Sequence, residues 1–150
     1  KLEHTLALQS ASAETIRVDA TLLHTSHPEQ FDRVLADVPC SAEGRMNLND
    51  RRSFSFWSQK NITEHAKLQR RLLRSAVACL KPGGTLVYST CTLAPEENED
   101  MNAWLVLEFP FMKPMSITLP FPTKQGSHKT ATLLPTSRYE GFFVATLVKK

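Results

Sequence analysis

Apolar residues along the chain fall into two periods. Between Asn61 and Leu80, the positions Leu73, Ala76, Val77 and Leu80 recur at i, i+3, i+4 and i+7, the spacing of one helical face. Lys67, Arg70, Arg71 and Arg74 lie mostly off that stripe. Asn61, with Glu64 three residues later, predicts a capped start, and Lys81-Pro82-Gly83-Gly84 predicts a stop in which glycine supplies the left-handed cap. Pro95-Glu96-Glu97-Asn98-Glu99 opens another helix, through about Glu108, with acidic residues at its positive end. Leu2, Leu6 and Leu8 predict the end of a helix in residues 1–10. Strand patterns occupy Thr15 to Ala20, with Asp19 at the carboxyl end, then Phe31 to Cys40, Thr85 to Ser89, and Gly141 to Val148. Thr25 to Glu29 is a turn-rich connector, residues 41–60 form a long loop, and Phe109 to Pro135 is irregular. Strands alternating with helices predict an α/β fold with a three-layer sheet, the last strand adding an antiparallel edge.

Composition changes this picture little. The 150 residues suit one domain, 41% hydrophobic and 22% charged, with no apolar run able to span a membrane and no signal-peptide pattern at the start. Three cysteines without close pairing argue against a disulfide framework and predict a cytoplasmic protein. The net charge of +3 permits a polyanionic partner without requiring one.

Candidate chemistry gathers at strand ends. In open α/β sheets ligands bind outside the carboxyl ends of the strands, where Cys40 and Cys91 both fall. A lone cysteine there is more often an inert core residue, whereas two at neighbouring strand ends could share a cleft. Cys79, beside the helical stripe, reads as packing. A structural zinc site would need about four ligands at close spacing, which the sequence lacks, and no metal is expected. A dithiol redox pair usually shows C-x-x-C spacing, and nucleophilic catalysis is the third option. Asp19 and Asp37 are carboxylates at strand mouths, either turn residues or acceptors for a ligand's amine or hydroxyl groups. The loop holding Arg45, Arg51, Arg52, Phe54, Phe56 and Trp57 either contacts a nucleic acid, arginines on phosphates and rings on bases, or packs onto the sheet with its arginines solvated.

Two stretches carry a resemblance. Asp37-Val38-Pro39-Cys40-Ser41-Ala42-Glu43-Gly44 and Tyr88-Ser89-Thr90-Cys91-Thr92-Leu93-Ala94-Pro95-Glu96-Glu97-Asn98-Glu99 resemble the RNA cytosine-5 methyltransferases of the Sun/Nop2 (NSUN) family, as do Lys81-Pro82-Gly83-Gly84 and the closing Glu140-Gly141-Phe142-Phe143-Val144-Ala145. A Pro-Cys and a Thr-Cys motif in this order make a specific signature. The resemblance implies a Rossmann-like methyltransferase fold, S-adenosylmethionine as cofactor, and RNA (rRNA or tRNA) as partner. It implies Cys91 as the nucleophile and Cys40 as the thiol that assists release. It also implies Asp19 at the cofactor's adenine and Asp37 at the cofactor's methionine end or the target base; Pro39, and Arg45 with its basic-aromatic loop, are expected on the substrate side. Val38 stands where the family usually has Ala, and Ala42 where it usually has Gly.

The family's Gly-rich cofactor loop, its ribose-binding acidic residue and the lysine of that region have no counterpart in this sequence. The expectation is therefore a partial catalytic domain over residues 1–150, incomplete at the amino terminus and a weak binder of S-adenosylmethionine alone. The competing expectations are a methyltransferase acting on DNA or a small molecule, and a non-catalytic RNA-binding or assembly protein that kept the fold.

Overall fold

A computed structural model describes residues 2–150. The chain runs α1 (Leu2–Leu8), a 3-10 turn (Ala20–Thr25), β1 (Phe31–Asp37), α2 (Gln59–Cys79), β2 (Leu80–Thr90), α3 (Glu99–Glu108), β3 (Met112–Met115), β4 (Lys124–Gln125), β5 (Ala131–Leu133) and β6 (Phe142–Lys149). One sheet takes all six strands in the order β1-β2-β6-β5-β4, with β3 also paired to β6.

The central unit is β1-α2-β2, two parallel strands joined through a helix. Its register puts Asp37 opposite Ser89, so both strands finish at the same edge. α2 buries Ile62, Gln69, Leu73 and Val77 along one stripe, and α3 adds Met101 and Leu105. Leu73, Val77, Met101 and Leu105 meet Leu86 and Tyr88 of β2, and Phe143, Ala145 and Leu147 of β6, in one core. Each such apolar side chain contributes about 1.5–3 kcal/mol on burial.

Several expectations need correction. α2 begins at Gln59, because Ser58 in extended backbone caps it and accepts from Asn61 N at 3.1 Å. Asn61 is thus already inside the first turn, and Glu64 pairs with Lys67 at 2.9 Å. The helix stops without a glycine cap: Leu80 is extended, and Gly83, at φ +81°, makes the turn where the β1–β2 register shifts. β1 ends at Asp37, before Pro39 and Cys40.

The segment expected as a strand around Asp19 is not one. Ile16 and Val18 stay 50% and 58% exposed with no strand beside them, and pairing is what would hold such a segment extended. Asp19 instead caps the following 3-10 turn, its Oδ1 accepting from Thr21 N at 2.9 Å and Thr21 Oγ1 at 2.8 Å. The three-layer arrangement is also incomplete among the described residues. Both long helices cover one face, while Leu35 on the other is 69% exposed. Finally, β6 is interior: β2 takes one side, antiparallel, and β5 and β3 share the other. The stretch expected to be irregular therefore supplies the strands beyond β6, and Pro114 is tolerated because β3 pairs on one side only.

Candidate active site

Cys40 lies three residues past Asp37 and Cys91 two past Ser89, so the parallel register delivers both thiols to one place. Their Sγ atoms are 3.3 Å apart, and both residues are half-buried. Burial, and then the hydrogen bond to Cys91, push the Cys40 thiol up to about 12, outweighing the backbone N–H groups of Ala42 and Cys91 that pull it down. Cys40 therefore keeps its proton, and the hydrogen bond between the two sulfurs can run in either direction. Cys79 is buried in the core, away from this pair among the residues packed beneath β1.

Backbone contacts tie the two loops together. Gly44 N donates to Cys91 O at 3.0 Å, and Gly44 O accepts from Gly141 N at 2.8 Å. The approach leaves no room for a side chain, since a Cβ on Gly44 would stand 2.7 Å from Gly141 Cα. Ser41 Oγ and Thr92 Oγ1 lie 2.7 Å apart, Thr90 Oγ1 donates to Asn98 Oδ1 at 2.6 Å, and Asn98 Nδ2 donates to Thr92 O at 3.0 Å. All four side chains are buried.

A further buried group was not singled out from sequence. Glu97 is fully buried, and its carboxylate accepts from Ser41 N at 3.2 and 3.3 Å and from Gln69 Nε2 at 2.6 Å. Gln69 Nε2 also donates to Pro39 O at 2.9 Å, and Tyr88 Oη donates to Glu97 O at 2.6 Å and Gln69 Oε1 at 3.2 Å. One signal was legible: Gln69 precedes Leu73 by four residues, so it stands on the buried stripe of α2, where a polar residue needs a partner.

A cavity of about 540 Å³ opens along β1 and α2, reaching Pro39 but lined by neither Cys40 nor Cys91. Asp19, Asp37 and Pro39 line it, with Val34, Val38 and Leu72 among its apolar walls. Asp37 accepts from Ser89 Oγ at 3.0 Å, and the hydrogen bonds from Thr21 hold the exposed Asp19 carboxyl below its usual range. The two carboxylates are thus brought to one cavity, although Asp19 is not at a strand end.

Arg45, expected on the substrate side, forms an exposed ion pair with Glu140 at 3.1 Å. In its loop Phe54 is half-buried while Phe56 and Trp57 are exposed, and Trp57 Nε1 donates to Glu43 Oε1 at 2.6 Å. Arg70 and Arg74 lie over the Trp104 ring, 5.5 and 5.1 Å from its centroid, so these two helix arginines dress α3. Among the described residues no helix is long and apolar enough to cross a membrane.

Comparison with known proteins adds to this geometry. The chain is 46% identical over 92 residues to ribosomal RNA small subunit methyltransferase F of Pectobacterium atrosepticum, covering 61% of this chain and 19% of that protein. It is 47% identical over 87 residues to the tRNA (cytosine(72)-C(5))-methyltransferase NSUN6 of Mus musculus, covering 57% of this chain and 17% of the relative. The chain thus spans about a fifth of the length of these curated relatives. NSun6 from Pyrococcus horikoshii, solved with the S-adenosylmethionine analogue SFG, shares the fold at a TM-score of 0.84 and 29% identity, covering 99% of this chain and 38% of that one. A methyltransferase homologue from the same organism superposes at a TM-score of 0.80 and 26% identity, covering 99% and 48%. The family described as 16S rRNA methyltransferase RsmB/F matches residues 2–148, and the chain belongs to that family.

Proposed function

We propose that the chain carries the thiol pair of an S-adenosylmethionine-dependent RNA cytosine-5 methyltransferase acting on rRNA or tRNA. The observation that carries this reading is the 3.3 Å separation of Cys40 and Cys91 at the shared carboxyl edge of β1 and β2. Membership of the RsmB/F family and the names of the relatives support the RNA substrate.

Carbon 5 of cytosine is a weak nucleophile. Cys91, as the thiolate, adds to carbon 6 and moves electron density onto carbon 5, the logic of covalent catalysis. Bound S-adenosylmethionine supplies the methyl group that carbon 5 then takes. Loss of the carbon-5 proton to a base returns an electron pair to the ring and expels the Cys91 sulfur from carbon 6. Cys40, kept protonated by burial, hydrogen-bonds the departing sulfur and stabilises it as a leaving group. Asp19 and Asp37 would hold the cofactor's polar ends in the cavity along β1, with Pro39 and Arg45 toward the RNA.

RNA containing 5-fluorocytosine tests the reading in the full-length protein. Fluorine at carbon 5 cannot leave as a proton does, so a stable protein–RNA adduct through Cys91 is expected, and Cys91→Ala should abolish it. Cys40→Ala should accumulate adduct even on ordinary cytosine. Absence of any adduct, or an adduct indifferent to Cys91→Ala, would return the chain to a non-catalytic RNA-binding or assembly role.

A further inference from the structure

Gln69 and Glu97 form a fully buried, hydrogen-bonded polar pair, and the covalent chemistry above does not use them. Gln69 sits on the buried face of α2, level with Ile62, Leu73 and Val77, at 0% exposure. Glu97 is equally buried, and among the described residues no Lys or Arg reaches it within ion-pair distance. Apolar residues of the same volume would ordinarily fill such positions at less cost, because polar groups removed from water must recover every lost hydrogen bond.

The destination of those bonds gives the group its meaning. Gln69 Nε2 donates to Pro39 O, the carbonyl of the peptide entering Cys40. The Glu97 carboxylate accepts from Ser41 N, the amide of the peptide leaving Cys40. Both peptide groups flanking one thiol are therefore gripped from below, by two side chains that also bond each other at 2.6 Å. Tyr88, on β2, bonds both members of the pair, so the grip is referred to the strand that ends in Cys91. Meanwhile Ser41 Oγ meets Thr92 Oγ1, the neighbour of the other thiol.

We infer that Gln69 and Glu97 are positioning residues that set the Cys40–Cys91 separation, and through it the release step. This rests on the methyltransferase reading for its consequence, but the separation itself is measurable without RNA. Removing one member leaves the other buried and under-bonded and frees one peptide flanking Cys40, so the loop can drift. A drift of about 1 Å between reacting groups is enough to cost on the order of a hundredfold in rate.

The test uses the full-length protein with Gln69→Leu and, as a near-isosteric variant that preserves volume, Glu97→Gln. Oxidation of the thiol pair by the azo reagent diamide is the ruler: two S–H bonds break, an S–S bond forms, and the two hydrogens reduce the azo group. The cross-linked Cys40–Cys91 peptide pair is followed by mass. Slowing of about tenfold or more is expected in both variants at a temperature where each remains folded. Leu105→Ala, a core truncation in α3, supplies the control. If it lowers stability comparably and slows oxidation just as much, the effect belongs to stability and the inference is overturned. Wild-type oxidation rates in folded Gln69→Leu or Glu97→Gln overturn it equally.

With RNA, both variants should still trap 5-fluorocytosine through Cys91 while accumulating adduct on ordinary cytosine, as Cys40→Ala does. Absence of any 5-fluorocytosine adduct in the wild type would remove the methyltransferase reading and leave the oxidation measurement to decide the positioning role alone.

Discussion

The thiol-bearing edge of the sheet and the flank along β1 are built on opposite terms. At the edge, the side chains of Ser41, Gln69, Tyr88, Thr90, Thr92, Glu97 and Asn98 are buried, and each makes a hydrogen bond that joins one loop to another element. Along the flank, residues 11–19 are exposed, the Asp19 carboxylate accepts from its near neighbour Thr21, and Leu35 projects into solvent. The thiol geometry is thus determined within the chain, whereas the cavity holding Asp19 and Asp37 is walled by it along β1 and α2. A satisfied buried network tolerates little change, because each broken bond strands a partner away from water. The flank, with little packed against it, should tolerate much more.

Gly44 gives that contrast its largest test. Valine there would drive its branches into the Gly141 backbone and separate Gly44 N from Cys91 O. Urea unfolding should register a loss of more than about 3 kcal/mol for Gly44→Val, or failure to fold, against less than about 0.5 kcal/mol for Val18→Ser on the flank. Similar losses for the two variants would erase the distinction.

The same contrast explains what could be read in the sequence. The β1-α2-β2 unit was legible because α2 carries a clean helical period and the two strands carry short apolar runs closed by turn residues. The meeting of Cys40 and Cys91 follows from parallel pairing, which any such unit enforces. Asp19 misled because alternation over six residues describes a strand only when another strand lies beside it. Gly83 misled because a glycine after a helical pattern serves a turn as readily as a cap, and which one depends on the β1–β2 register. Glu97 was hidden for a different reason. Pro95-Glu96-Glu97 reads as an acidic first turn that complements the positive end of a helix, and only the folded loop shows that Glu97 turns inward beneath Cys40 while Glu96 reaches Gln59 at 2.8 Å.

A mid-sized test concerns protons at the edge. Burial and Cys91 raise Cys40 to about 12. A raised value favours the protonated thiol in the folded state, so any stability it contributes is fully present below the value of an unfolded cysteine, about 8.5, and is lost as pH rises from there toward the folded value. At about pH 9 the folded Cys40 should therefore react slowly with iodoacetamide, which attacks the thiolate. Cys91→Ala removes the second of the raising influences, the hydrogen bond, and should speed Cys40 labelling by on the order of tenfold. An unchanged or slower rate, measured by peptide mass, would mean that Cys91 does not hold the Cys40 proton in place.

The smallest expected effect lies at Ala42, in the same loop. Its backbone is left-handed, φ 58° and ψ 30°, a conformation that costs a non-glycine residue about 1 kcal/mol or more. The position is two residues past Cys40, where the chain turns toward Gly44, so the strain lies in the segment that joins the thiol to the Gly44–Gly141 crossing. Ala42→Gly should relieve it, offset in part by the extra freedom glycine has when unfolded, for a net gain of about 0.5–1 kcal/mol in urea unfolding. Because Gln69 and Glu97 hold the peptides on either side of Cys40 independently of Ala42, the diamide oxidation rate should stay at its wild-type value. If stability rises but oxidation slows, the left-handed alanine itself holds the thiol, and the buried network beneath it is not sufficient to do so.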